Sequence, residues 1–130
     1  MVVDTSAIVA ILENEPEARS FLDFLFGQTE LRMSMVSVVE TAIVALGRGA
    51  SGRVRAMELI DALAIEPVPV DSLQMDLAIG AYARWGKGIH PAKLNFGDCF
   101  SYALAKAVDE PLLFKGDDFT RTDIAAALPG

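Results

Sequence analysis

The segment of residues 96–115 reads FGDCFSYALAKAVDEPLLFK, and it carries the clearest structural signal in the chain. Apolar residues within Phe96–Val108 recur at the i, i+3, i+4, i+7 and i+8 spacing that is typical of a helix with one buried face. A short apolar run, Pro111–Lys115, follows and is typical of a buried strand. The segment therefore predicts a helix that leads into a strand, which is the repeating unit of an α/β domain.

The rest of the chain repeats this alternation. Three further strands are predicted at Met1–Asp4, Leu31–Met35 and Ile65–Val70, and the two prolines of the last restrict it to an edge position. Helical spacing and capping residues predict the intervening helices, which run from about Ser6, from Pro16 to Gly27, over Val36–Leu46, from the Gly49–Gly52 region to about Ala64, and from Asp71 to about Trp85. We therefore expect a central, mostly parallel sheet flanked by helices.

Length and composition exclude several classes of protein. The chain has 130 residues, of which 52% are hydrophobic and 22% charged, so we expect one folded domain over residues 1–130 and no disordered protein. Its longest apolar run, Ala7–Leu12, is far too short to cross a bilayer, so we expect no membrane partner. The single cysteine, Cys99, excludes internal disulfides and is typical of a reducing compartment, which predicts a cytoplasmic location.

The chain is acidic overall, but its basic residues are concentrated in two stretches. A net charge of −7 argues against nucleic acid as a partner, because a polyanion usually requires a basic surface. Two stretches without any acid are nevertheless basic. Residues 41–57 contain Arg48, Arg53 and Arg55, and residues 77–97 contain Arg84, Lys87, His90 and Lys93. These stretches are either solvated surface or a path for a phosphate backbone.

Acidic residues follow the predicted strands at the positions where α/β domains bind ligands. Asp4 ends the first strand, and Asp117 and Asp118 lie just past the last one. Glu40 lies about one turn into the helix after the second strand, and Asp98 lies in the first turn of the helix quoted above. Because ligands bind beyond the carboxyl ends of the strands in open α/β sheets, we expect these side chains to meet at one rim.

Each acid also has a purely structural alternative. Asp4 and Asp98 are good helix caps, and the acids after the last strand suit a turn. Glu40 could lie on a solvated helix face with Ser37 and Thr41. Taken together, however, clustered carboxylates repel each other unless a cation lies among them, and carboxylate oxygens suit Mg²⁺ or Mn²⁺. Such a site is suited to the hydrolysis of phosphodiester bonds.

Four segments together resemble a known family. They are Met1–Ala7 (MVVDTSA), Ser34–Glu40 (SMVSVVE), Leu94–Ala103 (LNFGDCFSYA) and Leu113–Phe119 (LFKGDDF). In this order they resemble PIN-domain ribonucleases, and among those the VapC-type toxins of bacterial toxin–antitoxin pairs. The resemblance implies a PIN-like three-layer fold and a magnesium-dependent endoribonuclease, with Mn²⁺ as a substitute metal. It also implies a homodimer that a cognate VapB-like antitoxin inhibits by inserting a C-terminal segment into the active-site groove.

The resemblance assigns roles to the acids. Asp4 and Asp98 match the acids that bind the metal directly, and Glu40 matches an acid that helps to hold the metal or to activate water. Asp117 and Asp118 compete for the fourth acidic position. We favour Asp118 for catalysis because the next residue is the phenylalanine of the motif, and we keep Asp117 as a residue that assists cofactor binding.

Ser6 matches a small polar residue of the same family that supports the site. It would do so through a hydrogen bond to an acid or to a metal-bound water, and its position after the first strand also suits a helix cap. Cys99, in contrast, lies on the buried helix stripe with no histidine nearby, so we do not expect a thiolate nucleophile.

The strongest alternative function is that of a phosphoacceptor receiver domain, which is also a small acidic α/β domain that binds magnesium. A receiver needs an acidic pair after the first strand, an acceptor Asp after the third and a late lysine. Here the first strand ends in the single acid Asp4, no Asp ends the third strand, and the acidic pair comes last. The order of the acids therefore favours a nuclease.

Overall fold

The computed structural model describes residues 1–128 and has four strands and six helices in these residues. The strands are β1 (Val2–Val3), β2 (Arg32–Ser34), β3 (Glu66–Val68) and β4 (Leu112–Leu113). The helices are α1 (Thr5–Leu12), α2 (Ala18–Phe26), α3 (Met35–Leu46), α4 (Ala50–Ala62), α5 (Ser72–Trp85) and α6 (Phe96–Val108). A short 3-10 helix, Asp118–Arg121, follows β4. This alternation confirms the predicted α/β class.

The sheet has the strand order β3-β2-β1-β4, and every pairing is parallel. Parallel neighbours need crossover connections, which the helices provide. β3 lies at an edge, where Pro67 removes no hydrogen bond that the sheet requires. The predicted edge strand with two prolines is therefore confirmed, over the shorter range Glu66–Val68.

Successive residues of the paired strands β1 and β4 face opposite layers, as the pleat of a strand dictates. Val2 and Leu112 pack in a core with residues of α5 and α6. Val3 and Leu113 pack in a second core with residues of α1, α2 and α4. All four side chains are almost fully buried. The sheet thus separates two hydrophobic cores, and the expected three-layer arrangement is confirmed.

The two edge strands, β3 and β4, are shorter in the structure than the sequence predicts, and hydrogen bonding explains the difference for β4. The predicted strand Pro111–Lys115 is reduced to Leu112–Leu113. The backbone N–H of Lys115 donates to the hydroxyl of Ser6 at 2.9 Å instead of continuing a ladder. The chain therefore leaves the sheet after Leu113 and contacts the first turn of α1.

None of the helices within residues 1–128 combines the length and the apolar character that crossing a bilayer requires. The N-caps of four helices are polar side chains that accept backbone hydrogen bonds. Asp4 caps α1, Ser34 caps α3, Asp71 caps α5 and Asn95 caps α6. Two of these caps lie at the ends of β1 and β2, so the same turns that start the helices also form the carboxyl rim of the sheet.

Candidate functional site

Asp4 lies at the carboxyl end of β1, where both of its carboxylate oxygens accept hydrogen bonds. Its Oδ2 accepts from the backbone N–H of Ser6 at 3.0 Å, and its Oδ1 accepts from the hydroxyl of Ser101 at 2.5 Å. Only 3% of the residue is exposed. Asp4 is therefore both the cap of α1, as the structural alternative predicts, and a carboxylate held in one orientation at the rim.

Asp98 also combines a cap with a place at the rim. In a capping box, its Oδ2 accepts from the backbone N–H of Asn95 at 3.0 Å, and Asn95 Oδ1 accepts from the N–H of Asp98 at 2.8 Å. Burial, together with the negative charges of Asp4, Asp118 and Glu40, raises the pKa of Asp98 from 3.8 to about 7, against the lowering effect of the Asn95 hydrogen bond. Three acids from other segments thus act on this one carboxyl group.

Glu40 reaches the site from α3 and is half-buried. Its carboxylate lies against Gly97, so close that the side chain of any larger residue at position 97 would overlap it. Ser37 and Thr41, on the same helix, are fully buried. The alternative in which Glu40 shares a solvated face with these two residues is therefore wrong.

The two acids that follow β4 differ in their relation to Asp98. Asp118 is one of the charges that raise the Asp98 pKa, whereas Asp117 is not. Both are exposed and line a cavity of about 390 Å³, together with Lys93 and Arg121. Asp118 is thus the one of the two that acts on Asp98, although both acids line the same cavity.

Ser6 contacts the site through its backbone. Its N–H donates to Asp4, while its hydroxyl oxygen accepts from the backbone N–H of Lys115. The Ser6 hydroxyl therefore ties the end of β4 to the start of α1, which leaves its own proton free to donate to another acceptor.

Four buried hydroxyl groups behind the acids are absent from the sequence-based site. They belong to Thr5, Ser37, Thr41 and Ser101. Helical spacing shows only that Ser37 and Ser101 interrupt apolar faces, and no pattern within either helix shows that they meet. A signal does exist in retrospect, because a polar residue on a buried face needs a hydrogen-bond partner.

Cys99 is not a nucleophile. Burial, with the nearby charge of Asp98, raises the pKa of its thiol to about 11, so the thiol stays protonated near neutral pH. Its Sγ donates to the carbonyl of Asn95 at 3.2 Å. The structure thus places Cys99 on the buried face of α6, as the apolar spacing of the helix predicts.

The donor set fits a hard divalent cation by chemistry and by charge. The charged groups that raise the pKa of Asp98 are all carboxylates, and carboxylate oxygens are ligands that Mg²⁺ and Mn²⁺ prefer. A cation among them would offset the repulsion that raises the Asp98 pKa. Within residues 1–128 no group of three or more acidic, histidine or cysteine side chains is arranged so that it could hold a metal ion.

Comparison with known proteins adds independent findings. The family model of the PIN domain matches residues 1–125 of this chain. VapC ribonuclease Mb0640 of Mycobacterium bovis is 47% identical over 99% of this chain and 100% of its own length. Ribonuclease VapC of Mycolicibacterium smegmatis is 48% identical over 97% of this chain and 98% of its own length.

Two solved structures share the fold. The Mycobacterium tuberculosis toxin VapC20, which cleaves the sarcin–ricin loop, superposes with a TM-score of 0.79 at 16% identity and covers 98% of both chains. A chain of a toxin–antitoxin complex from Klebsiella pneumoniae superposes with a TM-score of 0.68 at 15% identity, over 94% of this chain and 92% of that one. The likeness to these structures extends over nearly the whole chain.

Proposed function

This chain belongs to the PIN-domain family and, within it, to the VapC ribonucleases, and from that premise we propose that it is the endoribonuclease toxin of a toxin–antitoxin pair. Asp4, Glu40, Asp98 and Asp118 would form its active site. The observation that carries this assignment is that Asp4, Glu40 and Asp118, from three other segments of the chain, come near the buried carboxyl of Asp98, where their charges raise its pKa. A receiver domain is excluded by the family.

The acids have separate tasks in this proposal. Asp4 and Asp98 would hold Mg²⁺, or Mn²⁺ in its place, and Ser6 and Asp117 would assist at the edge of the site. When bound, the ion supplies Lewis-acid stabilisation of the charge that develops on the phosphate oxygens. Glu40 would orient the attacking water and accept its proton, and Asp118 would add the fourth negative charge.

The path of the RNA is supported by the charges around the cavity beside Asp118. Lys93 and Arg121 line this cavity, so a phosphate group could approach the acids between two cations. Lys93 belongs to the acid-free stretch of residues 77–97. We propose that this stretch guides the RNA backbone, which reconciles a net charge of −7 with a polyanionic substrate.

The proposed protein partners are a VapB-like antitoxin and a second copy of the chain. The solved toxin–antitoxin complex of the same fold supports the antitoxin. The homodimer is supported by exposed apolar residues at helical spacing on α3, where Met35, Val39 and Ile43 are 45%, 57% and 63% exposed. We also propose that the protein acts in the cytoplasm, where its single buried thiol stays reduced.

The decisive experiment is a cleavage assay on purified protein with mapped RNA ends. Wild-type protein with Mg²⁺ should produce discrete internal cuts, and Asp98→Asn, which keeps the side-chain volume but removes a charge, should produce none. Excess EDTA should also abolish cleavage.

A further inference from the structure

A connected row of buried hydroxyl groups lies directly behind the candidate acids. Ser101 donates to Asp4 at 2.5 Å, and its oxygen lies 3.1 Å from the hydroxyl of Ser37. The carbonyl of Ser37 accepts from Thr5 at 3.1 Å and from Thr41 at 2.8 Å. None of these four side chains is more than 7% exposed.

The direction of each hydrogen bond in this row follows from proton counting. A serine hydroxyl has one proton to donate. Because Ser101 donates its one proton to Asp4, Ser37 must be the donor in the Ser37–Ser101 pair. The chain Ser37 to Ser101 to Asp4 is therefore directed at the carboxylate, and each donor polarises the next.

The hydroxyls also connect the elements that carry the acids. Ser37 precedes Glu40 by three residues on α3, and Ser101 follows Asp98 by three residues on α6. Residues three apart share one face of a helix. One layer of hydroxyls thus lies one helical turn from the layer of carboxylates, and its hydrogen bonds join α3, α6 and the end of β1.

We infer that Ser101 is a positioning residue of the metal site, an inference that rests on the proposed function. Its hydroxyl holds Oδ1 of Asp4 on the side away from the rim, and Ser37 fixes the orientation of that hydroxyl. The Asp4 carboxylate is thereby oriented before any ion arrives. Ser101 itself contacts neither the ion nor the RNA.

The expected size of the effect follows from similar arrangements around metals. Removal of a hydrogen-bond partner of a metal ligand typically weakens metal binding by about 10- to 100-fold. A solely structural serine would instead change stability and leave metal affinity as it was. The two possibilities therefore differ in metal affinity, which can be measured without any cleavage assay.

The experiment measures Mn²⁺ binding by the electron paramagnetic resonance signal of the free ion. Ser101→Ala should raise the dissociation constant by about 10-fold or more. Ser101→Cys, which substitutes a weaker donor of similar shape, should give an intermediate value and serves as the test if the alanine variant does not fold. The matched control is Ser34→Ala, because Ser34 is equally buried and caps α3 without contacting Asp4.

Three outcomes distinguish the hypotheses. Weaker binding in the Ser101 variants, with unchanged binding in Ser34→Ala, supports the inference. A Ser101→Ala dissociation constant equal to that of the wild type overturns it, provided that Asp4→Asn does lose Mn²⁺. If Asp4→Asn binds Mn²⁺ as the wild type does, the metal site of the proposed function is itself wrong.

Discussion

Gly97 and Glu40 pack so closely that a Cβ atom on residue 97 would lie 2.7 Å from the carboxyl carbon of Glu40. This contact joins α6 to α3 at the level of the candidate acids. Real Cβ atoms do not approach another atom so closely, so residue 97 has to be glycine if Glu40 is to keep its position. The glycine therefore allows two acidic helices to approach each other.

Gly97→Ala should impair cleavage more than stability. Alanine favours a helix over glycine by about 1 kcal/mol, but the new methyl group would displace the Glu40 carboxylate. A displacement of about 1 Å can lower the rate on the order of 100-fold. The control is Gly80→Ala in α5, where an added Cβ meets no atom within 4 Å. Equal cleavage rates for the two variants would contradict the role of this contact.

Asn substitutions at Asp98 and Asp4 should change the stability of the metal-free protein in opposite directions. Asp98→Asn removes a charge that burial and three acids disfavour, so the melting temperature should rise. Asp4→Asn places an NH₂ group where both oxygens now accept, which should cost about 1–3 kcal/mol. Thermal unfolding in EDTA measures both shifts. A lower melting temperature for Asp98→Asn would mean that its capping box outweighs the repulsion.

The metal-free protein should lose stability as the pH rises from about 4 to about 7. The folded-state pKa of Asp98 is raised from 3.8 to about 7, so the folded protein binds more protons than the unfolded chain in this range. The free energy of unfolding should then fall by up to about 1.4 kcal/mol per pH unit. Urea unfolding at several pH values measures the slope, and Asp98→Asn should reduce it. An unchanged slope in that variant would assign the titration to another group.

Magnesium should raise the melting temperature of the wild-type protein in a concentration-dependent manner, because an ion that binds only the folded state stabilises it by mass action. Asp98→Asn should show a much smaller rise. Differential scanning fluorimetry over a Mg²⁺ series makes the comparison, with the same ionic strength set by a monovalent salt as control. Full RNA cleavage in excess EDTA would contradict the metal mechanism.

Lys93→Glu should weaken RNA binding, because the acid-free stretch of residues 77–97 is proposed to guide the RNA backbone. Arg53→Glu tests whether the other acid-free basic stretch, residues 41–57, contacts the phosphate backbone as well. Each lost contact should reduce the slope of log affinity against log salt by about one unit. Binding is measured in the Asp98→Asn background so that the RNA stays intact. The control is Arg19→Glu, since Arg19 is highly exposed on α2 and pairs with Asp23. An unchanged slope for Lys93→Glu would mean that the RNA does not pass this cavity.

The sequence predicts much of the fold because its strongest signals are local. The apolar spacing of Phe96–Val108 gives both ends of α6 correctly, and Asp71 is the predicted cap of α5. The strand after α6 is overestimated because the N–H of Lys115 pairs with a side chain, and no sequence pattern shows which partner a backbone group will find.

The grouping of the candidate acids at one rim is predictable for a different reason. Parallel strands share one carboxyl rim, so polar residues after each strand have to be near one another. The hydroxyl layer lacks such a rule, because Ser37 and Ser101 meet across two helices whose relative rotation depends on packing. The contact of Gly97 with Glu40 is equally unpredictable, because a glycine in the first turn of a helix does not show which residue of another helix packs against it.

The strand order places the first and the last strand side by side, because β4 pairs directly with β1. During synthesis on the ribosome, Asp4 emerges long before Ser101 and Asp118. Until those residues have emerged, a nascent chain lacks both the hydroxyl that we infer to orient Asp4 and the acid that we propose as the fourth of the site. A fragment that stops before β4 would leave β2 as the only strand beside β1, so we expect such a fragment to be unable to cut RNA.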